Sequence, residues 1–388
     1  MANARAVGQP VDIMIVDQHI ERIESAGAQG QSKGGSQFDA SGLMALPGIV
    51  DIHGDAFERQ IQPRPETVFG HDIALADTDR QLAANGITTA CHGVTYSWEG
   101  GLRGRESAIA LMDQVDAQRA LSHVEHRIHL RFENHHVDGL RDVLDWIEQG
   151  RIDFFAFNEH LPSIARKAAR PEKLASYAER ARCDGAAFKA RLQAAEARGD
   201  EVQGAIAMLA AACRRHGIPM ASHDDETRAD REAYQALGVT VSEFPRTEEA
   251  VASAKALRNL VVMGAPNVLL GGSHCGSLGA ADTIGRGMCD ILASDYYYPS
   301  LLHAPFKLAH QGVCSLADAW KLVSSNPARA LGLDDRGQIV EGGRADLLLV
   351  KALPAGGVRL VATIAAGKLV YCAEPERFVA MRSYPLAA

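Results

Sequence analysis

None of the seven cysteines forms a Cys-x-x-Cys pair, and their number is odd. A disulfide framework is therefore not expected, and the thiols read as reduced, cytosolic ones. No window approaches the roughly 18 uninterrupted apolar residues of a membrane-spanning helix. The first residues lack the basic-then-apolar pattern of a secretory leader, so a cytoplasmic protein without a membrane partner is expected. Basic residues are outnumbered by acidic ones, 40 to 48, for a formal net charge of -8. A broad basic surface for nucleic acid is excluded, whereas an anionic small molecule is not, because a few Arg and His residues set the field inside a cleft. No Gly-x-x-x-x-Gly-Lys-Ser/Thr loop is present, so the chain is no P-loop nucleotide hydrolase. Without a Gly-x-Ser-x-Gly elbow, no serine nucleophile is nominated.

What is present is ample: 388 residues, 47% hydrophobic and 23% charged, enough for one large α/β barrel or two to three ordinary domains. Residues 11–27 alternate apolar and polar side chains around Asp17-Gln18-His19, a hairpin signal. The runs 345–350, 358–364 and 368–371 have the same texture, so both ends predict β-structure. Between them, eight short β-rich runs (48–52, 87–93, 127–132, 154–157, 219–222, 239–242, 260–263 and 291–293) alternate with helical patterns at 108–121, 140–148, 171–197, 201–216, 226–236, 248–259 and 316–323. This rhythm predicts an α/β fold, a (β/α)8 TIM-type barrel over 48–334, with a doubly wound sheet as the alternative. Segments 1–47 and 335–388 would pair into a small β-sandwich domain beside it.

In such a barrel the chemistry sits at the C-terminal ends of the strands. The first run ends in Asp51-Ile52-His53-Gly54-Asp55, and residues i and i+2 of a strand share a face, so His53 and Asp55 would project together. The second run ends in His92, the third in Arg131 and Glu133 followed by His135 and His136, the fourth in Glu159 and His160, the fifth in His223, Asp224 and Asp225, the sixth in Glu243, and the eighth in Asp295. Each alone suits a helix cap or a satisfied core polar group; coincidence at seven strand ends is much harder to sustain. Imidazole and carboxylate ligands together suit zinc, manganese or another first-row divalent ion. His53, Asp55, Glu133, His160, His223, Glu243 and Asp295 exceed the needs of one tetrahedral ion, and two ions sharing a carboxylate fit the count. Asp295 is the candidate base for a water proton, its other reading being an N-cap for a helix near Ser300. The glycine-rich loop Gly271-Gly272-Ser273-His274-Cys275-Gly276 is either a plain turn or a nest of backbone N–H groups for an anion. Arg64, Arg127, His129 and Arg131 could add cationic contacts, the last three equally well as salt-bridge partners inside the barrel.

At these residues the chain resembles the amidohydrolase superfamily. The carrying features are the Leu46-Pro47-Gly48-x-x-Asp51-x-His53 entry into the first strand and the closing Gly337-Gln338-Ile339-Val340-Glu341-Gly342-Gly343-Arg344-Ala345-Asp346-Leu347. Within the superfamily the closer likeness is to the diphosphatase branch of phosphonate breakdown. It rests on His126-Arg127-Ile128-His129-Leu130-Arg131, Ala221-Ser222-His223-Asp224-Asp225, Glu243-Phe244-Pro245, Met263-Gly264-Ala265-Pro266-Asn267, Gly271-Gly272-Ser273-His274 and Asp290-Ile291-Leu292-Ala293-Ser294-Asp295-Tyr296-Tyr297. The resemblance implies a metal-dependent hydrolase that cleaves a ribose 5-triphosphate bearing a phosphonate at C1, releasing pyrophosphate and leaving the 5-phosphate. It places His53 and His223 as ligands and Asp295 as ligand and base, with His223 and Asp295 catalytic. Asp55 and Glu243 stand where or near where many members carry histidines, departures shared with the diphosphatase branch.

Substrate contacts would come from Arg64, Arg131, Asp224, Gly271, Gly272, Ser273, His274 and Tyr296. One or two divalent ions are expected, zinc first, manganese or magnesium otherwise. Around Asn158-Glu159-His160-Leu161-Pro162-Ser163, and on through 164–187, the chain departs from the branch. The alternatives are hydrolysis of a C–N bond in a small polar substrate, by a deaminase or cyclic amidase, and a metal-binding barrel without turnover. A homodimer is the ordinary expectation for a soluble enzyme.

Overall fold

The computed structural model describes residues 4–6, 9–27, 36–64, 67–271 and 278–379. Its centre is an eight-stranded parallel sheet whose strands one to eight are Ile49–Gly54, Ile87–Tyr96, Glu125–Glu133, Phe154–Asn158, Met220–His223, Val241–Glu243, Leu260–Gly264 and Ile291–Ala293. Each strand pairs with the next in chain order, and strand eight returns to strand one through the Gly54–Asp295 bridge. There the Asp55 N–H donates to the Asp295 carbonyl at 2.8 Å and the Asp295 N–H to the His53 carbonyl at 3.0 Å. Order without reversal, plus closure, makes this a (β/α)8 barrel and rules out the doubly wound sheet. All eight runs read from the sequence are strands.

Val50, Ile52, Cys91, Phe154, Ala156, Ala221, Val241, Val262, Ile291 and Ala293 meet in one interior cluster. A second tie reinforces the closure. Asp51, fully buried, accepts from the Ser294 hydroxyl at 2.5 Å and the Ser294 N–H at 3.1 Å. At the entry to strand one, the Gly48 N–H donates to the Asp346 carbonyl at 2.8 Å. A Cβ on Gly48 would lie 2.4 Å from Thr88 Oγ1 and 2.9 Å from Asp346 Cβ. The Leu-Pro-Gly motif therefore marks the place where the barrel and the terminal sheet touch too closely for a side chain.

That terminal sheet has seven strands in the order Lys368–Cys372, Val358–Ala365, Leu347–Ala352, Met44–Pro47, Ala4–Ala6, Gln9–Val16 and His19–Ser25. Three come from one chain end and four from the other. The expected hairpin is there, turning at Asp17 with φ 52°. Ile13, Ile20, Leu43, Leu347 and Val361 form its core together with Phe38. Phe38 lies on the two-stranded ribbon of Gln37–Phe38 and Phe378–Val379 and meets Phe378 edge to face at 5.3 Å.

The predicted helix 171–197 is instead two, Pro171–Arg180 and Gly185–Glu196. Arg182 turns left-handed at φ 52°, and the Asp184 carboxylate caps the second helix by accepting from the Ala187 N–H at 2.7 Å. An Asp-Gly pair starts a new helix here despite helix-forming composition on either side. With Leu161–Ala168 the two helices make an insertion after strand four, with a core of its own that includes Trp98, Leu161, Ile164, Phe188 and Leu192.

Helix His71–Ala84, absent from the sequence reading, lies against strand two and the terminal sheet. Its Asp79 accepts from the His123 and Val124 N–H groups at 3.0 and 3.1 Å, from the His123 ring at 2.5 Å and from His126 Nε2 at 3.0 Å. His126 Nδ1 in turn meets His92 Nε2 at 2.7 Å. His92 thus belongs to this outer network and not to the barrel mouth, because residues 90, 92 and 94 alternate outward while Cys91 points in. Burial alone would raise the Asp79 pKa, but these hydrogen bonds outweigh it and hold the carboxyl at about 2, against an ordinary 3.8. A pKa depressed on folding gives stability that is complete above the ordinary value and lost as the pH falls through the folded one, here on the order of 2 kcal/mol. Asp79→Asn should therefore flatten the acid limb of the stability curve between about pH 5 and pH 2.5; a urea-midpoint slope equal to that of the wild type would rule this out.

Candidate metal centre

The open end of the barrel gathers three interlocking groups, in each of which the ligand atoms lie within 4.8 Å of one another: His53, His223 and Glu243; His160, His223 and Asp224; and His53, Asp55 and Asp295. His53 and His223 are each shared by two groups. Strict alternation would not assemble them. Val50 and Ile52 already face the interior, so His53 should point out. A register irregularity between Asp51 and Gly54 lets His53 face inward as well. At strand five, Ala221 and His223 point in, and Asp224 joins them because its backbone is left-handed, φ 63°. Phe244, at φ 51°, does the same after Glu243 and packs its ring 4.9 Å from His53 and 5.2 Å from His223. Asp295 is also left-handed, φ 54°. Conformations that cost non-glycine residues about 1 kcal/mol or more thus cluster at the strand ends. Each is held by a ladder bond, Asp224 N–H to the Glu243 carbonyl and Phe244 N–H to the Val262 carbonyl, both at 2.9 Å.

His53 Nδ1 is 3.2 Å from Glu243 Oε1, and His129 Nε2 is 3.5 Å from Glu243 Oε2. Arg131 reaches Asp55 at 3.6 Å and His223 Nε2 at 3.3 Å. His160 stands between Glu133, at 2.5 Å, and Asp224, at 3.3 Å. Burial pushes the Asp55 carboxyl up to about 7 against the pull of Arg131, and Asp295 up to about 6 against the same pull. Glu243 is raised for the same reason. Burial also drives His53 and His129 well below their ordinary value, which leaves neutral rings with lone pairs. His223 Nδ1, Glu243 Oε2 and both His129 nitrogens are buried without a hydrogen-bond partner. Crowded acids, neutral imidazoles and orphaned acceptors are what a divalent cation would satisfy, and the mixed N/O donor set suits a first-row ion.

Six of the seven residues expected as ligands, His53, Asp55, His160, His223, Glu243 and Asp295, fall in these groups. The seventh, Glu133, does not. Its Oε1 takes the His160 ring and its Oε2 the His160 N–H at 3.2 Å, so it orients His160. Asp224, expected at the substrate, lies beside His160 and His223. Asp295 is no helix cap, since the following helix, Pro299–His310, starts after Tyr298. Of the triplet on strand three, Arg127 pairs with Glu125 and Asp153, while His129 and Arg131 face the cluster. His135 pairs with Glu159 at 3.2 Å, and His136 packs on Tyr96. Arg64 is exposed and bonds Thr67 at 3.1 Å. Gly271, left-handed at φ 78°, ends helix Ala265–Leu270 as its C-cap; Gly272, Ser273 and His274 lie outside the described residues. Tyr296 sits under Arg59, 5.8 Å from its ring centre. His129, never named as a site residue on its own, had a signal in its alternation with Arg131.

A closed (β/α)8 barrel with histidines and carboxylates massed at the strand ends defines a class, and the sequence agrees: residues 44–370 match the amidohydrolase family, to which this chain belongs. It is 35% identical over 337 residues, 83% of this chain and 87% of the relative, to the alpha-D-ribose 1-methylphosphonate 5-triphosphate diphosphatase of Escherichia coli (strain K12). Among solved structures, a 5-methylcytosine deaminase from Klebsiella pneumoniae superposes with a TM-score of 0.59 at 17% identity, covering 99% of this chain and 98% of the other. A prolidase complexed with N-methylphosphonate-L-proline does so at 0.61 and 12% identity, covering 96% and 98%. These two share the fold.

Behind strands five and six a buried ion pair braces the cluster. Asp225 Oδ2 accepts from Ser222 at 2.7 Å, Ser242 at 2.6 Å and Arg231 at 3.1 Å, and Arg231 is fully buried. Arg231 also bonds Asn259, which ties in the approach to strand seven. Removing one member of such a pair strands the other charge, at about 3–5 kcal/mol. Arg231→Met should lower the unfolding free energy by about that amount in chemical denaturation; a loss below about 1 kcal/mol would show that the pair is not a brace.

Proposed function

We propose that this chain is a metal-dependent diphosphatase that hydrolyses α-D-ribose 1-methylphosphonate 5-triphosphate to the 5-phosphate and pyrophosphate, a step of phosphonate breakdown. The observation that carries the reading is the 35% identity across 83% of the chain to the Escherichia coli enzyme of that activity. The donor groups at the barrel mouth support it. His53, Asp55, His223, Glu243 and Asp295 are the proposed ligands, with His160 and Asp224 completing a second position. A divalent ion held there, zinc by donor set with manganese or magnesium as alternatives, would lower the pKa of water and neutralise phosphate charge.

The protein's own groups do the rest. Asp295, on a backbone turned to face the cluster, takes the proton as the water oxygen bonds to phosphorus and the bridging P–O bond breaks toward pyrophosphate. Arg131, buried with its Nε unpartnered, offers a fixed cation to the phosphates and costs little reorganisation. Glu133 keeps His160 in place.

Phosphorus NMR of metal-reconstituted protein with the ribose 5-triphosphate should show pyrophosphate and a 5-phosphate; no product with any divalent ion, or ammonia from a C–N substrate instead, would overturn the reading. Asp295→Asn should lower kcat by about 10²–10⁴-fold while most of the metal stays bound. Parallel loss of metal and turnover would make Asp295 a ligand only.

A further inference from the structure

His129 of strand three and Glu243 of strand six are both 0% exposed. Ile128 and Leu130 point outward into the helix layer, so His129 faces the barrel interior. There it stands in register with Gly93 of strand two and Phe154 of strand four. Gly93 puts no side chain beside it, and a Cβ at that position would come within 3.5 Å of His53 Nε2. The imidazole uses the room: its ring centre is 4.4 Å from that of Phe154 and 4.9 Å, edge to face, from that of His53. Packed on both sides, the ring has little freedom to turn.

Its Nε2 lies 3.5 Å from Glu243 Oε2, against about 2.9–3.0 Å for a formed N–H···O bond. Neither atom has another hydrogen-bond partner among the described residues. The other oxygen of the same carboxylate, Oε1, is 3.2 Å from His53 Nδ1, inside the group of His53, His223 and Glu243. His129 falls in none of the three ligand groups. One oxygen of Glu243 thus belongs to the metal centre, while the other faces a nitrogen of a residue outside it. A buried carboxylate oxygen left without a donor is costly.

We propose that His129 is the positioning residue of Glu243. With its proton on Nε2 it donates to Oε2, and this bond keeps Oε1 turned toward the metal groups beside His53. The role rests on the metal centre proposed above and is independent of which substrate is cleaved. It accounts for an imidazole, where an apolar side chain would pack, at a place with no access to solvent: ligands are ordinarily oriented by hydrogen bonds from residues beyond the ligand set. Strand three then carries two such residues on its inner face, Glu133 for His160 and His129 for Glu243.

The test is competition of the full-length apoprotein with a chromophoric chelator for zinc, and for manganese beside it. His129→Phe keeps a ring but removes the donor, and should weaken binding about 10–100-fold. His129→Gln, whose amide nitrogen reaches about as far as Nε2, should restore affinity to within several-fold of wild type. The melting temperature of the apoprotein should not fall in the Phe variant, because two buried, unpaired nitrogens are removed; a structural role predicts the reverse. In a Glu243→Ala background His129→Phe should cost no further affinity. Unchanged affinity in the Phe variant overturns the proposal, and so does equal loss in Phe and Gln, which would mean packing alone. Additive losses in the double variant overturn it by making His129 a ligand in its own right. Should the Phe variant not fold, His129→Asn, too short to reach Oε2, takes its place, and unchanged affinity there overturns the proposal equally. A wild type that binds neither ion removes the metal centre itself, an outcome distinct from a wild type that binds and a variant that binds as well.

Discussion

The contact on which the remainder of the molecule depends is the one between Asp51 and Ser294. Two hydrogen bonds from one serine to one buried carboxylate join the first barrel strand to the last. Burial raises the Asp51 pKa to about 6, opposed by the Ser294 bonds and the His53 N–H. A half-buried polar pair here would be a liability, and full pairing makes it a lock. Immediately beyond it the backbone bridge between Gly54 and Asp295 brings His53, Asp55 and Asp295 into one group. Closure of the barrel and assembly of the site are the same event.

Around that seam, the site is built by departures from regular strand geometry. A bulge re-aims His53, and left-handed residues after strands five and six turn Asp224 and Phe244 inward. These local costs are repaid by ladder bonds and by the Arg231–Asp225 brace behind them. The electrostatic outcome is a set of carboxyls raised by burial, facing imidazoles held neutral by burial. Such a site is poised for a cation and for a polyanion bridged by it, which is the chemistry of phosphoanhydride hydrolysis. Arg131 within the cluster adds one fixed positive charge among these carboxyls, 3.6 Å from Asp55.

Helices after strand four give the barrel a character of its own. They pack on the turn after strand two through positions where only glycine fits. Loops after barrel strands ordinarily tune specificity while the strands keep the chemistry. Here the helices after strand four meet the turn after strand two through a close joint with a small hydrophobic core.

Periodicity alone disclosed the eight strands, the terminal hairpin and the pairing of the two chain ends, because parallel strands buried on both faces are short apolar runs that few other structures explain. The massing of His and acidic residues after those runs pointed to a candidate site, and six of the seven expected ligands fall into close groups. Tertiary structure alone decided which of them face the cavity. His92 alternates outward into a network with Asp79, Glu133 is taken up by His160, and Arg64 stays in solvent, while Asp224 is turned in against alternation. The break at Asp184 and the docking of the insertion were equally invisible, since helix propensity on both sides is high. Side-chain direction at a strand end depends on bulges, backbone handedness and neighbouring hydrogen bonds, and those are contacts between residues up to 243 positions apart; linear order carries the ingredients, and only the closed barrel sets their directions.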